Sequence, residues 1–560
     1  MTWRLAEGAT LGGDLTPLFG PLSFRINALL WNLGGASLTP ILIANLAVAA
    51  LTAGCLFATA RQVFRVSTSG LLVAVFLSTF AFAQLRPYGS FNFAIPYTHA
   101  ATHGALFTCA SLAFLVAFVR KPDTVRLIGG AVTAGTTWLL KPELAVATTV
   151  AVMTALLLVS PGPRRRYALA TLTIVLPVVA YLLAATFVGA GTSAAESLLR
   201  PWIFALRAPS GAAGYYALVS GLDAPSRNLG VGLTLAASVL CSVAGLVVLD
   251  QGLRGVGSRV RAVTGLVALT ATFGLLFATS AWLGLGPALP YLLVIVILAL
   301  LRERRGQRAR GESDDAPRVA ALLVWAVLAL VLLSRMMLRA RLDHYGFYLA
   351  GPGLLLLLGI LVEEIPRRVR KRRYTGGSVI SLAGLGVAAS VLVGSVRISE
   401  HWLARKTGSL GTGGDRIHVL GGEFDPRPGP VGEAIRLART LSRPDESVLV
   451  IPEGGIINYL ARRRSPVATS TLLPPEIAAL GPEAILRQIR QDPPAVVFLS
   501  PLPLADYGDQ APGDTPAFGA DFVCWIERRY SPMETLADRN RRGVKYELVV
   551  LLPSPFPRNR

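Results

Sequence analysis

Charged residues are scarce in this 560-residue chain. Asp, Glu, Lys and Arg make up 16% of it, whereas hydrophobic residues make up 52% and the mean hydropathy is +0.54. A soluble domain with this balance would carry more apolar surface than it could bury. The composition therefore predicts an integral membrane protein, whose apolar surface faces lipid.

Cysteine is equally scarce and widely spaced. Three of the four cysteines, Cys55, Cys109 and Cys241, lie inside apolar stretches, and Cys524 lies in a polar region. This spacing predicts neither a disulfide framework nor a metal-binding cysteine cluster.

Apolar stretches of membrane-spanning length recur through the first 400 residues and stop after Val396. A hydrocarbon core of roughly 30 Å requires about 20 apolar residues in a helix. We therefore predict a helical polytopic domain over residues 1–396 with about twelve transmembrane helices. The predicted spans are 38–60, 68–86, 98–119, 125–140, 143–160, 168–189, 229–250, 262–283, 287–302, 319–338, 347–363 and 378–396.

The formal net charge of +21 could indicate nucleic-acid binding, but the basic residues cluster beside the spans. One set of alternate loops, which includes 164–166, 302–318 and 367–373, has more than twice as many Lys and Arg residues as the other set. The positive-inside rule places the basic set in the cytoplasm. We therefore expect the N-terminus and the C-terminal region outside, and no nucleic-acid partner.

Residues 1–35 contain no signal peptide and no span, although the charge distribution places them outside. Apolar residues recur at helical spacing between Gly20 and Leu33, which predicts an amphipathic helix on the membrane surface. These apolar residues are Leu22, Ile26, Leu29, Leu30 and Leu33.

After Val396 short strand and helix patterns alternate, which predicts a small α/β domain over residues 397–560. Strands are predicted at 447–451, 495–499 and 546–552. Helices are predicted near 430–441, from 454, and near 482–491 and 519–530. The sequence gives this domain no recognisable task.

The segment from Gly12 to Trp31 places Asp14 in a Gly-rich turn, followed by Gly20-Pro21-Leu22 and the amphipathic helix. It resembles the first extracytoplasmic loop of the GT-C superfamily, in the protein O-mannosyltransferase and aminoarabinose transferase type. The resemblance covers about residues 8–160, with a weaker architectural match to residue 400. The chain departs from the family because it lacks the first transmembrane helix, and because loop 86–104 has no second carboxylate.

The resemblance implies an inverting glycosyltransferase that transfers a sugar from a polyprenyl-phosphate donor at the outer face of a bacterial inner membrane. Its acceptor would be a glycan, a lipid or a protein. Attack by an acceptor hydroxyl requires a base, and departure of the lipid phosphate requires a cation. Asp14 matches the position of the base, and its alternative role is that of a turn or capping residue.

Lys141 and Glu143 lie at the predicted outer junction of two spans, where charge is costly unless it is paired or used. Lys141 is one of few lysines and is the predicted phosphate-binding cation, with Glu143 in support. The alternative is a lysine that reaches the interface and pairs with Glu143.

Histidines and further charges in outer loops complete the candidate site. His99 and His103 are four residues apart and would share one helical face beside Tyr97. We expect a donor-phosphate role for His103, with His99 and Tyr97 in support. The alternatives are polar packing and a zinc site, for which the sequence offers no third nearby ligand.

Arg339 and Arg341 could present guanidinium groups to a phosphate, supported by Asp343 and His344. An interfacial charge belt is the alternative interpretation. The sequence predicts no nucleotide or redox cofactor, and it leaves a divalent metal open.

Two other classes of function compete with the enzyme. A transporter or flippase would require charged or broken helices near the membrane centre, whereas the polar residues here gather at the predicted outer ends. A scaffold that binds a partner through its soluble domain is the third class. The sequence leaves the sugar, the acceptor and the oligomeric state open.

Overall fold

The computed structural model describes the chain except residues 160–163, 212, 254, 311–314, 372–377 and 556–560. The basic residues Arg254, Arg372 and Arg373 lie outside the described residues. The chain forms two compact units. The first comprises Met1–Ile43, Leu182–Leu218 and Trp402–Arg560, and the second comprises Ala44–Tyr181 and Val219–His401.

Helices dominate the chain up to Leu403. The α-helices are Thr2–Ala6, Pro21–Gly34, Leu38–Arg61, Val66–Phe76, His99–Arg120, Thr124–Thr137, Pro142–Leu158, Arg164–Phe187, Gly191–Gly211, Ala213–Ser220, Pro225–Gly252, Ser258–Thr279, Leu289–Arg310, Ala316–Leu333, Gly346–Leu349, Gly351–Gly359, Ile365–Lys371 and Ser378–Leu403. Short π-helical turns at Leu77–Ala81 and Ile360–Glu364 extend two of them, and 3₁₀ turns lie at Ala281–Ala288 and Ser334–Met336.

Eight helices in the described part of the chain are long and apolar enough to cross a membrane by length and composition. Two shorter apolar helices cover Val66–Ala81 and Pro142–Leu158. Each of the twelve predicted spans falls on helical structure. The prediction of an α-helical polytopic membrane protein is therefore confirmed.

The helix Ala316–Leu333 lies at the centre of the second unit. In the apolar stretch that contains it, 72% of residues are buried, against 6% in Ser258–Thr279. It packs against the helices His99–Arg120, Pro142–Leu158 and Leu289–Arg310. Small residues permit close packing here: a Cβ at Gly104 would lie 2.2 Å from a methyl carbon of Leu144.

Charged residues of the predicted cytoplasmic loops meet at one end of this unit. Glu364 accepts hydrogen bonds from Arg318 at 2.6 Å and from Arg367 at 2.7 Å, and Glu363 accepts one from the backbone N–H of Arg65 at 2.8 Å. Loops that the sequence assigns to one side of the membrane therefore lie together. That this side is the cytoplasm stays a prediction.

The first unit contains the C-terminal α/β region. Its strands are β1 (Gly408–Leu410), β2 (Ile417–Val419), β3 (Val448–Ile451), β4 (Val496–Leu499), β5 (Tyr530–Arg539) and β6 (Lys545–Pro553). Its helices after residue 403 are Pro428–Leu441, Gly455–Ala461, Pro474–Leu480, Pro482–Gln491 and Ala520–Arg529.

A four-stranded sheet of order β3-β4-β6-β5 forms the core of this region. Strands β3 and β4 are parallel and the other pairs are antiparallel. All residues of β3 and β4 are buried, as expected for strands covered on both faces. The strands and helices predicted from the sequence are present, whereas β1, β2, β5 and the helix Pro474–Leu480 were not predicted.

The predicted amphipathic helix is present at Pro21–Gly34. Its buried face carries Ser23, Asn27, Ala28 and Trp31. Leu29 and Leu33 lie on the opposite side and are exposed. The helix thus buries one face against the protein and leaves Leu29 and Leu33 exposed on the other, as expected for a helix at a membrane surface.

Candidate functional site

A buried ion-pair network lies where two helices of the second unit meet. Lys141 immediately precedes the helix Pro142–Leu158, and Glu143 lies in its first turn. The Lys141 Nζ lies 3.1 Å from Glu143 Oε1, and the lysine side chain is 1% exposed. The pairing with Glu143 that the alternative interpretation expected is therefore present, but the lysine is buried inside the protein.

Two tyrosines and an arginine complete this network, which we call the Lys141 cluster (Tyr97, Lys141, Glu143, Arg335 and Tyr348). Lys141 Nζ donates hydrogen bonds to the hydroxyl oxygens of Tyr97 at 2.6 Å and Tyr348 at 3.1 Å. The Tyr348 hydroxyl donates to Glu143 Oε1 at 2.9 Å, and the Arg335 guanidinium forms a salt bridge with the same oxygen. Two cations thus share one carboxylate, which gives the cluster one excess positive charge.

Aromatic rings surround the Lys141 cluster. The Arg335 guanidinium lies 5.1 Å from the Tyr345 ring centroid, and the Tyr345 ring lies 5.2 Å from that of Tyr97. The His344 ring lies 4.1 Å from those of Phe91 and Tyr345. Burial, followed by the Arg86 charge, lowers the pKa of His344 to about 4. His344 is therefore neutral near pH 7 and contributes an aromatic face rather than a cation.

Arg86 joins the loop that follows Ala81 to the loop around Asp343. Its Nε and Nη2 atoms each lie 2.9 Å from Asp343 Oδ2. Arg341 Nε lies 3.5 Å from the other oxygen of this carboxylate. Arg339 forms an ion pair with Asp223 at 3.4 Å. Arg339 and Arg341 are both partly exposed and already contact carboxylates, which a bound phosphate would have to share.

His99 and His103 do share one face of the helix His99–Arg120, with ring centroids 6.0 Å apart. His99 Nε2 lies 3.4 Å from Asn45 Nδ2, and His103 is buried. The described residues contain no group of three or more His, Cys, Asp or Glu side chains placed to hold a metal ion. Among the described residues, therefore, no third ligand lies beside His99 and His103 to complete a zinc site.

Asp14 lies in a tight loop of the first unit. Its Oδ2 accepts hydrogen bonds from the backbone N–H and the hydroxyl of Thr10, both at 2.8 Å. These bonds, with the Arg4 charge as a smaller cause, lower the pKa of Asp14. The carboxylate is exposed and ionised near neutral pH. This geometry fits both a turn-closing residue and a base that is held in place.

Gly12 is required by this loop. Its φ of +90° favours glycine, and a Cβ there would lie 2.1 Å from the carbonyl oxygen of Ser193. The loop closes through a hydrogen bond from the Gly12 N–H to the Leu15 carbonyl at 2.8 Å, and the Thr16 N–H donates to the Ala468 carbonyl at 2.9 Å. The Asp14 loop is therefore held by the helix Gly191–Gly211 and by the C-terminal region.

A second group of contacts, which we call the Asp415 cluster (Asp415, Tyr459 and Arg462), binds the N-terminal segment at Ala36 and Leu38. Asp415 Oδ1 accepts hydrogen bonds from the Leu38 N–H at 3.0 Å and the Tyr459 hydroxyl at 2.6 Å. Arg462 binds Asp415 Oδ2 and the Ala36 carbonyl, both at 2.7 Å. The Trp31 and Tyr459 rings stack with centroids 5.5 Å apart.

The structure thus groups the predicted residues into two sets. Lys141, Glu143 and Tyr97 meet in the Lys141 cluster of the second unit. The same unit, outside that cluster, also contains His99, His103, Arg339, Arg341, Asp343 and His344. Asp14 lies in the first unit. Tyr348 and Arg86 were not predicted as site residues. Their only signal in the sequence was their position at the outer ends of the predicted spans 347–363 and 68–86, beside other aromatic and charged residues.

No family model matches the chain, and no curated protein matches it. Among solved structures, it is similar to ArnT from Cupriavidus metallidurans bound to undecaprenyl phosphate. The identity is 13%, the match covers 100% of this chain and 93% of that one, and the TM-score is 0.43.

The chain is also similar to the oligosaccharyltransferase AglB from Archaeoglobus fulgidus in complex with an inhibitory peptide and a dolichol-phosphate. Here the identity is 13%, the match covers 96% of this chain and 68% of that one, and the TM-score is 0.43.

Proposed function

We propose that this chain is an integral membrane glycosyltransferase that moves a sugar from a polyprenyl-phosphate donor to an acceptor at the outer face of the membrane. The observation that carries the proposal is the Lys141 cluster. Charges buried beside apolar helices are costly and are therefore expected to have a function. Here two cations face one carboxylate, with tyrosine hydroxyls between them.

An excess positive charge in a buried site favours an anionic ligand. Phosphate suits it, because cations and hydroxyl donors in a site of low dielectric stabilise the charge that develops on a departing phosphate. The surrounding rings of Phe91, Tyr97 and Tyr345 offer apolar faces. A phosphate attached to a sugar and to an isoprenoid chain combines both requirements.

The position of the cluster favours an interfacial enzyme over a transporter. Lys141 and Glu143 lie at the start of one apolar helix, and Arg335 lies just after the end of another. Transport pathways are expected to place such groups near the membrane centre, at broken helices. We therefore retain transport only as the alternative that the experiment below must exclude.

The proposed reaction inverts the configuration at the anomeric carbon. The acceptor hydroxyl attacks C1 of the sugar while Asp14 takes its proton. The bond between C1 and the phosphate oxygen breaks, and its electron pair stays with the polyprenyl phosphate. The Lys141 cluster stabilises that phosphate, and Arg339, Arg341 and His103 are proposed as secondary contacts.

The proposal is tested with purified protein in nanodiscs, by measuring transfer from polyprenyl-phosphate sugars and donor affinity. In Lys141→Met the excess charge is lost, so donor affinity should fall about tenfold or more. Lys141→Arg should retain part of it. The matched control is Lys545→Met, which removes an exposed lysine from β6 and should behave like the wild type.

A second variant separates charge from folding. Lys141→Met breaks a buried pair and should lower Tm, although Arg335 still neutralises Glu143. Glu143→Gln breaks the same pair but raises the excess charge from one to two. The proposal predicts that donor affinity falls in the first variant and is kept or increased in the second. Equal losses in both, or equal affinity in Lys141→Met and Lys545→Met, would contradict it.

A further inference from the structure

The first unit contains a cavity of about 270 Å³ between the Asp14 segment, the helix Gly191–Gly211 and the helix Pro474–Leu480. Its lining residues are Leu18, Glu196, Leu199, Arg200, Ile203, Phe204 and Ala479. Five of the seven are apolar. The volume lies just below the usual range for small-molecule sites, roughly 300 to 1,000 Å³, and therefore suits one segment of a chain-like molecule.

Arg200 gives this cavity an unused donor. Its Nε is buried and has no hydrogen-bond partner among the described residues. A buried donor without a partner is costly, and the cost is removed when a ligand accepts the hydrogen bond. Arg200 Nη2 contacts Glu196 at 3.5 Å, but that carboxylate is 58% exposed. Solvent therefore screens the acid more than it screens the buried donor, and the cavity favours an anion.

The cavity lies close to the Asp14 loop. Leu18 follows Asp14 by four residues, so their Cα atoms are at most about 14 Å apart even in an extended chain. On the other side, the Ser193 carbonyl that contacts Gly12 belongs to the same helix as Arg200. Seven helical residues span only about 10 Å. A molecule seated in the cavity therefore reaches the Asp14 loop with a headgroup of one or two sugar units.

We infer that this cavity binds the hydrocarbon chain of an anionic amphiphile that is the acceptor of the transfer reaction. The inference rests on the proposed function, because it takes Asp14 as the base. The base removes a proton from the acceptor, so the molecule seated beside the Asp14 loop is the acceptor rather than the donor. Leu18, Leu199, Ile203 and Phe204 contact its chain, and Arg200 binds its anionic group.

Binding is measured with dodecyl phosphate on the full-length protein in phosphatidylcholine nanodiscs. Ala479→Trp fills the cavity from the helix Pro474–Leu480, and should weaken binding at least about tenfold. Ala478→Trp is the matched control, because Ala478 is exposed on the same helix and does not line the cavity. It should stay within about twofold of the wild type.

Charge is tested separately. Arg200→Ala removes the buried donor and should weaken dodecyl phosphate binding about tenfold or more, the usual effect of a charge-assisted hydrogen bond. Arg443→Ala removes an exposed arginine of the same unit and should have no effect. Equal binding in wild type, Arg200→Ala and Ala479→Trp would overturn the inference.

Two competition arms identify the ligand class. If inorganic phosphate displaces the probe as well as unlabelled dodecyl phosphate does, the site binds a simple anion and the chain assignment is wrong. If phosphatidylglycerol in the nanodisc abolishes probe binding, the cavity contacts bulk lipid and the acceptor assignment is wrong. Persistence of binding in both arms supports the inference.

Sugar transfer to a dodecyl-linked acceptor separates this inference from the proposed function. Intact transfer by Ala479→Trp would overturn the cavity assignment and leave the transferase in place. Absence of transfer by the wild type, with dodecyl phosphate binding intact, would instead contradict the proposed function. Loss of transfer in Ala479→Trp but not in Ala478→Trp supports both.

Discussion

At the scale of single residues, Asp14 and Lys141 stand in opposite environments. Asp14 is exposed and its carboxylate is held by Thr10, which lowers its pKa. Lys141 is enclosed by Tyr97, Tyr348 and Glu143. An exposed, oriented carboxylate can accept the proton of an arriving hydroxyl, whereas an enclosed cation suits stabilisation of a buried negative charge.

The hydrogen bonds from Thr10 make a testable prediction about pH. Both bonds depress the pKa of Asp14, the one from the backbone N–H most and the one from the hydroxyl next. Thr10→Val removes only the hydroxyl bond, so it should raise that pKa part of the way toward its ordinary value. Because the base acts only when ionised, the acidic limb of the pH profile for kcat/KM should move to higher pH. The control is Thr440→Val, which removes an exposed hydroxyl from the helix Pro428–Leu441. An unchanged acidic limb in Thr10→Val would show that Asp14 is not the titrating base.

The part of the site that is local in the chain could be predicted from the sequence. Lys141 and Glu143 are two residues apart, and their position between two apolar stretches identified them as candidates. Tyr348 and Arg335 bond the same carboxylate from 205 and 192 residues away. Only the packing of the helices brings them together, and no periodicity of one segment encodes that contact.

At the scale of elements, the helices and strands with regular apolar spacing could be predicted from the sequence, and the irregular edge strand could not. The helix Pro482–Gln491 matches its predicted bounds, because its apolar residues recur at helical spacing. Strand β5 was not predicted because it contains Pro532 and several charged residues. It lies at the edge of the sheet with a register shift between Pro532 and Glu534, and proline and charge are tolerated there.

The Asp415 cluster gives the C-terminal region a structural role that can be tested. Asp415→Ala removes the acceptor shared by Leu38, Tyr459 and Arg462, so the segment 1–43 should loosen. Hydrogen exchange should increase several-fold in the helix Pro21–Gly34, while β3 and β4 keep their protection. The matched control is Asp445→Ala, at an aspartate that is largely exposed. Equal exchange in both variants would contradict this role.

At the scale of the whole molecule, the predicted topology places the C-terminal region outside the cytoplasm. Cys524 is exposed in this region, so the natural protein carries its own reporter. A membrane-impermeant maleimide should label Cys524 in intact spheroplasts, and Cys524→Ser should lose that signal. Labelling of Cys524 only after lysis would invert the topology and place the Lys141 cluster and the Asp14 loop on the cytoplasmic side.

The most direct test of the central claim is sugar transfer by purified protein in nanodiscs, with wild type and Asp14→Asn compared at equal donor occupancy. Asn keeps the shape of Asp and also its capacity to accept the Thr10 hydrogen bonds, but it cannot take the acceptor proton. The wild type should release polyprenyl phosphate and glycosylate the acceptor in equal amounts. In Asp14→Asn both rates should fall by roughly two to four orders of magnitude, with Tm and donor binding unchanged. Transfer at the wild-type rate by Asp14→Asn would contradict the assignment of the base, and absence of transfer by the wild type with every polyprenyl-phosphate sugar tested would contradict the transferase itself.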